Sequence, residues 1–259
     1  MSKDILEKLK DDSNYYGEFG KQYLSNSDII DLLKDPSSFR KPKEQTKAML
    51  EGRYFHTKIL EPNKLDEFKV LDVSSRTTKA FKELDDDIKP NVLLSKEMQH
   101  LEFLTDKMTS NMTLFDLIYA EGNEYEVPGL ATIMNEQWKG KADIINHNSF
   151  ELDMGGEVRY FEDGAIIDIK TSSDIDKFLY SAKSYNYDSQ AYIYQRMFNK
   201  PLFFIVIDKR NGRLKIADCS PAFIESGREK VEKAIEVYHK FFSDEKTEDI
   251  DNYIFRETL

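Results

Sequence analysis

The chain has one cysteine, Cys219, among 259 residues. That excludes an intrachain disulfide framework and a cysteine-ligated zinc or iron–sulfur centre within it, so any metal must be held by oxygen and imidazole. Glycine and proline are scarce, 11 and 7 residues, and no internal repeat or low-complexity linker is present. No run of eighteen apolar residues occurs, and Met1-Ser2-Lys3-Asp4 opens no apolar signal region. The expectation is a soluble cytoplasmic protein with no membrane partner. A positive excess is missing too. With 37 Lys and Arg against 48 Asp and Glu, the net charge is −11, which argues against a protein that coats nucleic acid by bulk charge. A narrow basic channel on an acidic body stays open.

What is present suits a folded core: 40% of residues are apolar and 12% aromatic, and the length suits one domain. We read a single domain over 1–259: a mainly helical part at 1–120, a sheet core with a helix at 121–220, and a C-terminal helix and acidic peripheral tail at 221–259. The first 24 residues read as a short helix and a loop. Ser25-Asn26-Ser27-Asp28 caps a helix stopped by Asp35-Pro36, and a second helix, carrying His56, runs over 44–60. Residues 63–92, with the run Asp85-Asp86-Asp87, read as solvated loops and a short helix near 77–83. Helical spacing returns at 95–119.

Strands are expected at 126–134 and 139–146, joined by a turn at Asn135-Glu136-Gln137, then at 165–172, 202–207 and 214–217. The acidic, Gly-rich interval 148–163 reads as a long hairpin loop between the two site strands. Helical segments should begin at Asp174, break near Tyr185-Asn186-Tyr187, and resume over 188–198, with a last helix at 221–242. This order implies an α/β (α+β) fold with a central mixed sheet flanked by helices.

Two strands carry polar residues that a buried strand disfavours. In Ala165-Ile166-Ile167-Asp168-Ile169-Lys170, Asp168 and Lys170 are two apart and so project from one face. If this strand pairs with Lys139-Gly140-Lys141-Ala142-Asp143, Asp143 and Asp168 converge. Two close carboxylates repel unless a cation lies between them, and Mg²⁺ suits oxygen ligands beside a phosphate. A neighbouring lysine can orient water or stabilise charge on phosphorus. The chemistry this set suits is metal-assisted phosphodiester hydrolysis; the plainer alternative for Asp-x-Lys is a solvated ion pair.

Laid out in order, these residues resemble the PD-(D/E)XK nuclease superfamily, and within it the exonuclease VIII (RecE-like) group of phage and prophage recombination exonucleases. The similarity runs from about residue 25 to 194. It includes the Ser25-to-Pro36 opening, Gly52-Arg53-Tyr54-Phe55-His56 leading to Leu60-Glu61-Pro62, the Lys139-to-Asp143 strand, Ile167-Asp168-Ile169-Lys170-Thr171, and Tyr187-Asp188-x-Gln190 with Tyr194. No one motif is specific; five in order are. Lys141 stands where the group commonly has arginine, and the loop between the site strands is long.

The resemblance implies a restriction-endonuclease-like core in which Asp143 and Asp168, the Ile169 carbonyl, Glu126 and His56 hold Mg²⁺ or Mn²⁺. Glu124 and Glu136 compete with Glu126 for that place. Lys170, Asp168, Asp143 and His56 would be catalytic. Gln190, Tyr194, Arg53 and Lys141, with Lys177, would contact DNA. It further implies 5′ to 3′ degradation of one strand from duplex ends in a bacterial host, a single-strand annealing partner and a ring-shaped homo-oligomer. Alternatives are a single-strand or structure-specific nuclease, or a non-catalytic DNA-end-binding protein.

Overall fold

A computed structural model describes residues 3–256; residues 1–2 and 257–259, the last of the expected tail, lie outside the described residues. In chain order the elements are helices α1 (Lys3–Leu9), α2 (Asp12–Tyr16), α3 (Asn26–Lys34) and α4 (Lys47–Leu60), then strand β1 (Lys69–Leu71), α5 (Lys79–Lys82), β2 (Val92–Leu94), α6 (Ser95–Thr109) and α7 (Met112–Ile118). There follow β3 (Glu124–Ile133), β4 (Glu136–Asn146), β5 (Phe150–Asp153), β6 (Val158–Phe161), β7 (Ala165–Ser172), α8 (Phe178–Ser184), α9 (Tyr187–Phe198), β8 (Leu202–Asp208), β9 (Leu214–Asp218) and α10 (Pro221–Phe241).

Five strands form one mixed sheet in the order β3-β4-β7-β8-β9, with β7 and β8 parallel and the other neighbours antiparallel. The parallel pair is joined through α8 and α9, as a crossover requires. Both faces of β7 and β8 are covered, so their residues divide by parity. Ile166, Leu202, Phe204 and Val206 join Trp138, Ala191 and Val231 in one core, under α3, α9 and α10. Ile167, Ile169, Phe203, Ile205 and Ile207 join Phe55, Leu101 and Leu104 in the other, under α4 and α6. Alternation of period two is what a strand buried on both sides demands.

Local chemistry sets the boundaries. The Ser25 N–H donates to Asp28 Oδ2 at 2.8 Å ahead of α3, and Thr46 Oγ1 accepts from the Met49 N–H at the start of α4. Met134 and Asn135 both have left-handed φ, 51° and 66°, so the β3–β4 turn has two residues and β4 starts at Glu136, three residues earlier than expected. Asn111 accepts from the Leu114 N–H and begins α7, splitting the helix expected over 95–119.

Two expected loops hold strands. The interval 148–163 folds as the β5–β6 hairpin because Leu152 and Phe161 are buried, the Phe150 and Phe161 rings stack at 4.7 Å, and Asp153 accepts from the Gly155 and Gly156 N–H groups at the turn. Within 63–92, β1 pairs in parallel with β2; three residues each are too few to show a period. Among the described residues no helix is long and apolar enough to cross a membrane.

Candidate active site

The strand pair β4 and β7 meets only at Ile144↔Ile167, Ile145↔Ile166 and Asn146↔Ala165. Beyond that the strands diverge, and Asp143 and Asp168 stand at the fork. The Ile169 N–H, without a strand partner there, donates to Asp143 Oδ2 at 2.8 Å. Into the widening gap comes Leu24, which bonds Gln137 and Lys139 through the backbone. A cleft of about 940 Å³ opens at this point, lined by His56, Glu126, Asp143, Lys170, Gln190 and Tyr194, together with Arg53 and Lys141.

Glu126 lies opposite Asp143 in the β3–β4 pairing, between Tyr125↔Ile144 and Val127↔Ala142. Its φ is 50°, a left-handed backbone that costs a non-glycine residue about 1–3 kcal/mol. The strand is bent where its carboxylate is wanted. Ligand atoms of His56, Glu126 and Asp143 all lie within 4.8 Å of one another, with His56 Nδ1 3.3 Å from Asp143 Oδ2. Burial, then the charge of Asp143, pushes Glu126 up to about 8. Burial also lowers His56 in spite of Asp143, with Lys170 adding to the effect, so the imidazole is neutral, as a ligand must be. Two carboxylates that repel, beside a neutral imidazole, form a donor set fitted to a divalent cation with oxygen preference.

Asp168, expected to share a metal with Asp143, projects from the neighbouring strand β7. It is fully buried, outside that trio and beneath the cleft. Its Oδ2 accepts from Gln190 Nε2 at 2.6 Å, and its Oδ1 lies 2.5 Å from Lys170 Nζ. Burial and Asp143 push its carboxyl up, while Lys170 and Gln190 hold it down. Lys170 is raised because Asp168 and Asp143 outweigh its own burial. The short contact and the second bond from Gln190 favour an ion pair with both members charged. The Lys170 ammonium also sits 4.7 Å from the centroid of the Tyr187 ring.

Other expected contacts are partly engaged within the protein. Ile169 is buried. Tyr194 Oη donates to the Lys141 carbonyl and accepts from its N–H. Arg53 reaches Asn91 at 2.5 Å and packs over Phe68. Lys177 is not at the cleft; it is exposed and 3.9 Å from Asp174. Sequence reasoning missed Asp12, Tyr15, Tyr16, Lys43 and Lys64, all of which line the cleft. Asp12, Tyr15 and Tyr16 come from α2, and Lys43 and Lys64 from the short segments flanking α4, where no periodicity points inward.

Comparison with known proteins agrees with this architecture. A family model described as a PDDEXK-like domain of unknown function, DUF3799, matches residues 30–249. No curated protein matches the chain. Among solved structures, a candidate exonuclease from Eubacterium rectale is similar over 96% of this chain and 95% of its own, at 16% identity with a TM-score of 0.60. A phage related exonuclease from Haemophilus somnus 129PT is similar over 68% of this chain and 92% of its own, at 16% identity and a TM-score of 0.31.

Proposed function

This chain belongs to the PDDEXK-like family DUF3799, and from that premise we propose that it is a divalent-metal-dependent deoxyribonuclease acting at duplex DNA ends. The observation that carries the proposal is the grouping, in one cleft, of the Glu126–Asp143–His56 donor set with Lys170 on its buried Asp168. Mg²⁺ or Mn²⁺ held by Glu126, Asp143 and His56 would supply Lewis-acid polarisation of the phosphate and charge neutralisation.

The chain's own groups have defined parts in this proposal. Asp143 accepts from the Ile169 N–H, which fixes one carboxylate oxygen and leaves the other for a ligand. Asp168 and Asp143 raise Lys170, which favours its charged form, and its part is to stabilise charge that develops on the phosphate. Gln190 holds Asp168, and Asp168 holds the ammonium at the floor of the cleft. Release of one strand, 5′ to 3′, to a single-strand annealing partner, by a homo-oligomer that encircles the duplex, completes the proposal. Sedimentation with and without duplex tests the oligomer.

Lys170→Met tests the chemistry. Loss of a preorganised charge at the reacting centre costs about 10²–10³ in rate, so the variant should cut at least a hundredfold more slowly while still binding duplex in Ca²⁺. An unchanged cleavage rate would overturn the assignment.

A further inference from the structure

Two lysines at the rim of the cleft share one carboxylate. Lys141, on β4 two residues before Asp143, donates to Asp12 Oδ1. Lys64, in the turn after α4, lies 3.5 Å from Asp12 Oδ2 and is also held by Glu61 Oε1 at 2.8 Å. Asp12 belongs to α2, ahead of residue 30, where the family match begins. The Lys141 side chain is only 8% exposed, with its ammonium 4.7 Å from the Tyr15 ring and 5.7 Å from the Tyr16 ring. A cation is therefore stored on the wall of the cleft under cover of α2. Asp12 itself is half exposed.

A carboxylate bridging two ammonium groups has the charge and oxygen spacing of a phosphodiester's two free oxygens. Resting on the nuclease proposal above, we infer that Lys64 and Lys141 form a backbone-phosphate subsite which Asp12 occupies until nucleic acid displaces it. In that role α2, carrying Asp12, is a strap across the substrate path. The strap has a further hold: Lys139 donates to the Tyr15 carbonyl and lies 4.4 Å from its ring, so α2 stays docked when Asp12 turns away.

The test is fluorescence anisotropy with a short end-labelled duplex in Ca²⁺, alongside cleavage in Mg²⁺. Asp12→Asn removes the competing charge and should tighten binding roughly two- to fivefold, the worth of a part-exposed ion pair. Lys64→Met introduced into that variant should cancel the gain. Asp11→Asn is the control. Asp11 is the neighbouring charge, accepts from Ser13, and remains a good cap as asparagine. Equal gains in the two asparagine variants, or none with Asp12→Asn while the wild type cuts and binds DNA, would overturn the strap alone. Absence of both binding and cleavage in every protein would overturn the nuclease proposal and the strap with it.

Discussion

Glu126 shows what the site demands of single residues. A bent backbone and a buried carboxyl both work against folding, and both are tolerated where a cation can offset them. Glu126 holds its proton to about 8, against an ordinary value of 4.5. Between those values the folded chain binds more protons than the unfolded one, so this contribution favours folding at low pH and is lost as pH rises through about 8. His56, lowered by burial, works in the opposite direction, so the comparison must isolate Glu126. Thermal melts of wild type and Glu126→Gln without divalent metal should diverge as pH rises from about 5 to about 8, the wild-type midpoint falling by several degrees relative to the variant. Added Mg²⁺ or Mn²⁺ should remove the divergence, and a constant difference across that range would count against it. Asp143, Asp168 and Lys170 were legible in sequence because each interrupts a β-branched run. Glu126 was one of three glutamates, and a left-handed φ leaves no mark on composition. The two-residue spacing put Asp168 and Lys170 on one face, but no pattern of residues pointed to the bond from Gln190 on α9.

Among the elements, α9 holds the site together, and two glycines let it. Gly129 and Gly140 are cross-strand partners on β3 and β4. A Cβ on Gly140 would stand 2.6 Å from the Tyr194 ring and 3.1 Å from Met197 Sδ; one on Gly129 would stand 2.5 Å from the same sulfur. Gly140→Ala should push α9 off the sheet, at about 1–3 kcal/mol, and should lower cleavage further by shifting Gln190 from Asp168. Gly52, inside α4, has no atom within 4 Å of an added Cβ. Its alanine variant should raise the melting temperature, gaining about 0.5–1 kcal/mol. Equal stability of the two variants would contradict this packing. Long elements such as α4, α9 and α10 were readable from spacing and punctuation, including Pro221 at the start of α10. The β1–β2 pair and the β5–β6 hairpin were not: β1 and β2 are three residues each and far apart in the chain, and β5–β6 is fixed by tertiary contact of Phe150 and Phe161 with Phe203.

For the molecule as a whole, the five-stranded sheet with a core on each face was expected from the order of segments, since strands joined by hairpins and then by helices leave few topologies. What no order of segments shows is how α1–α2 returns to the cleft. The net charge of −11 sets the remaining condition. An acidic body approaches DNA only where cations are gathered, and the cleft gathers Lys43, Arg53, Lys64, Lys139, Lys141 and Lys170 around carboxylates that call for a metal. On the proposed function, activity should need a divalent ion and a free end. The most direct test is a time course on linear duplex labelled at one 5′ end, beside a closed circle of equal length, in Mg²⁺ and in EDTA. The account predicts loss of label from the linear DNA alone, abolished by EDTA. Cutting of the circle, or cutting that continues in EDTA, would contradict it.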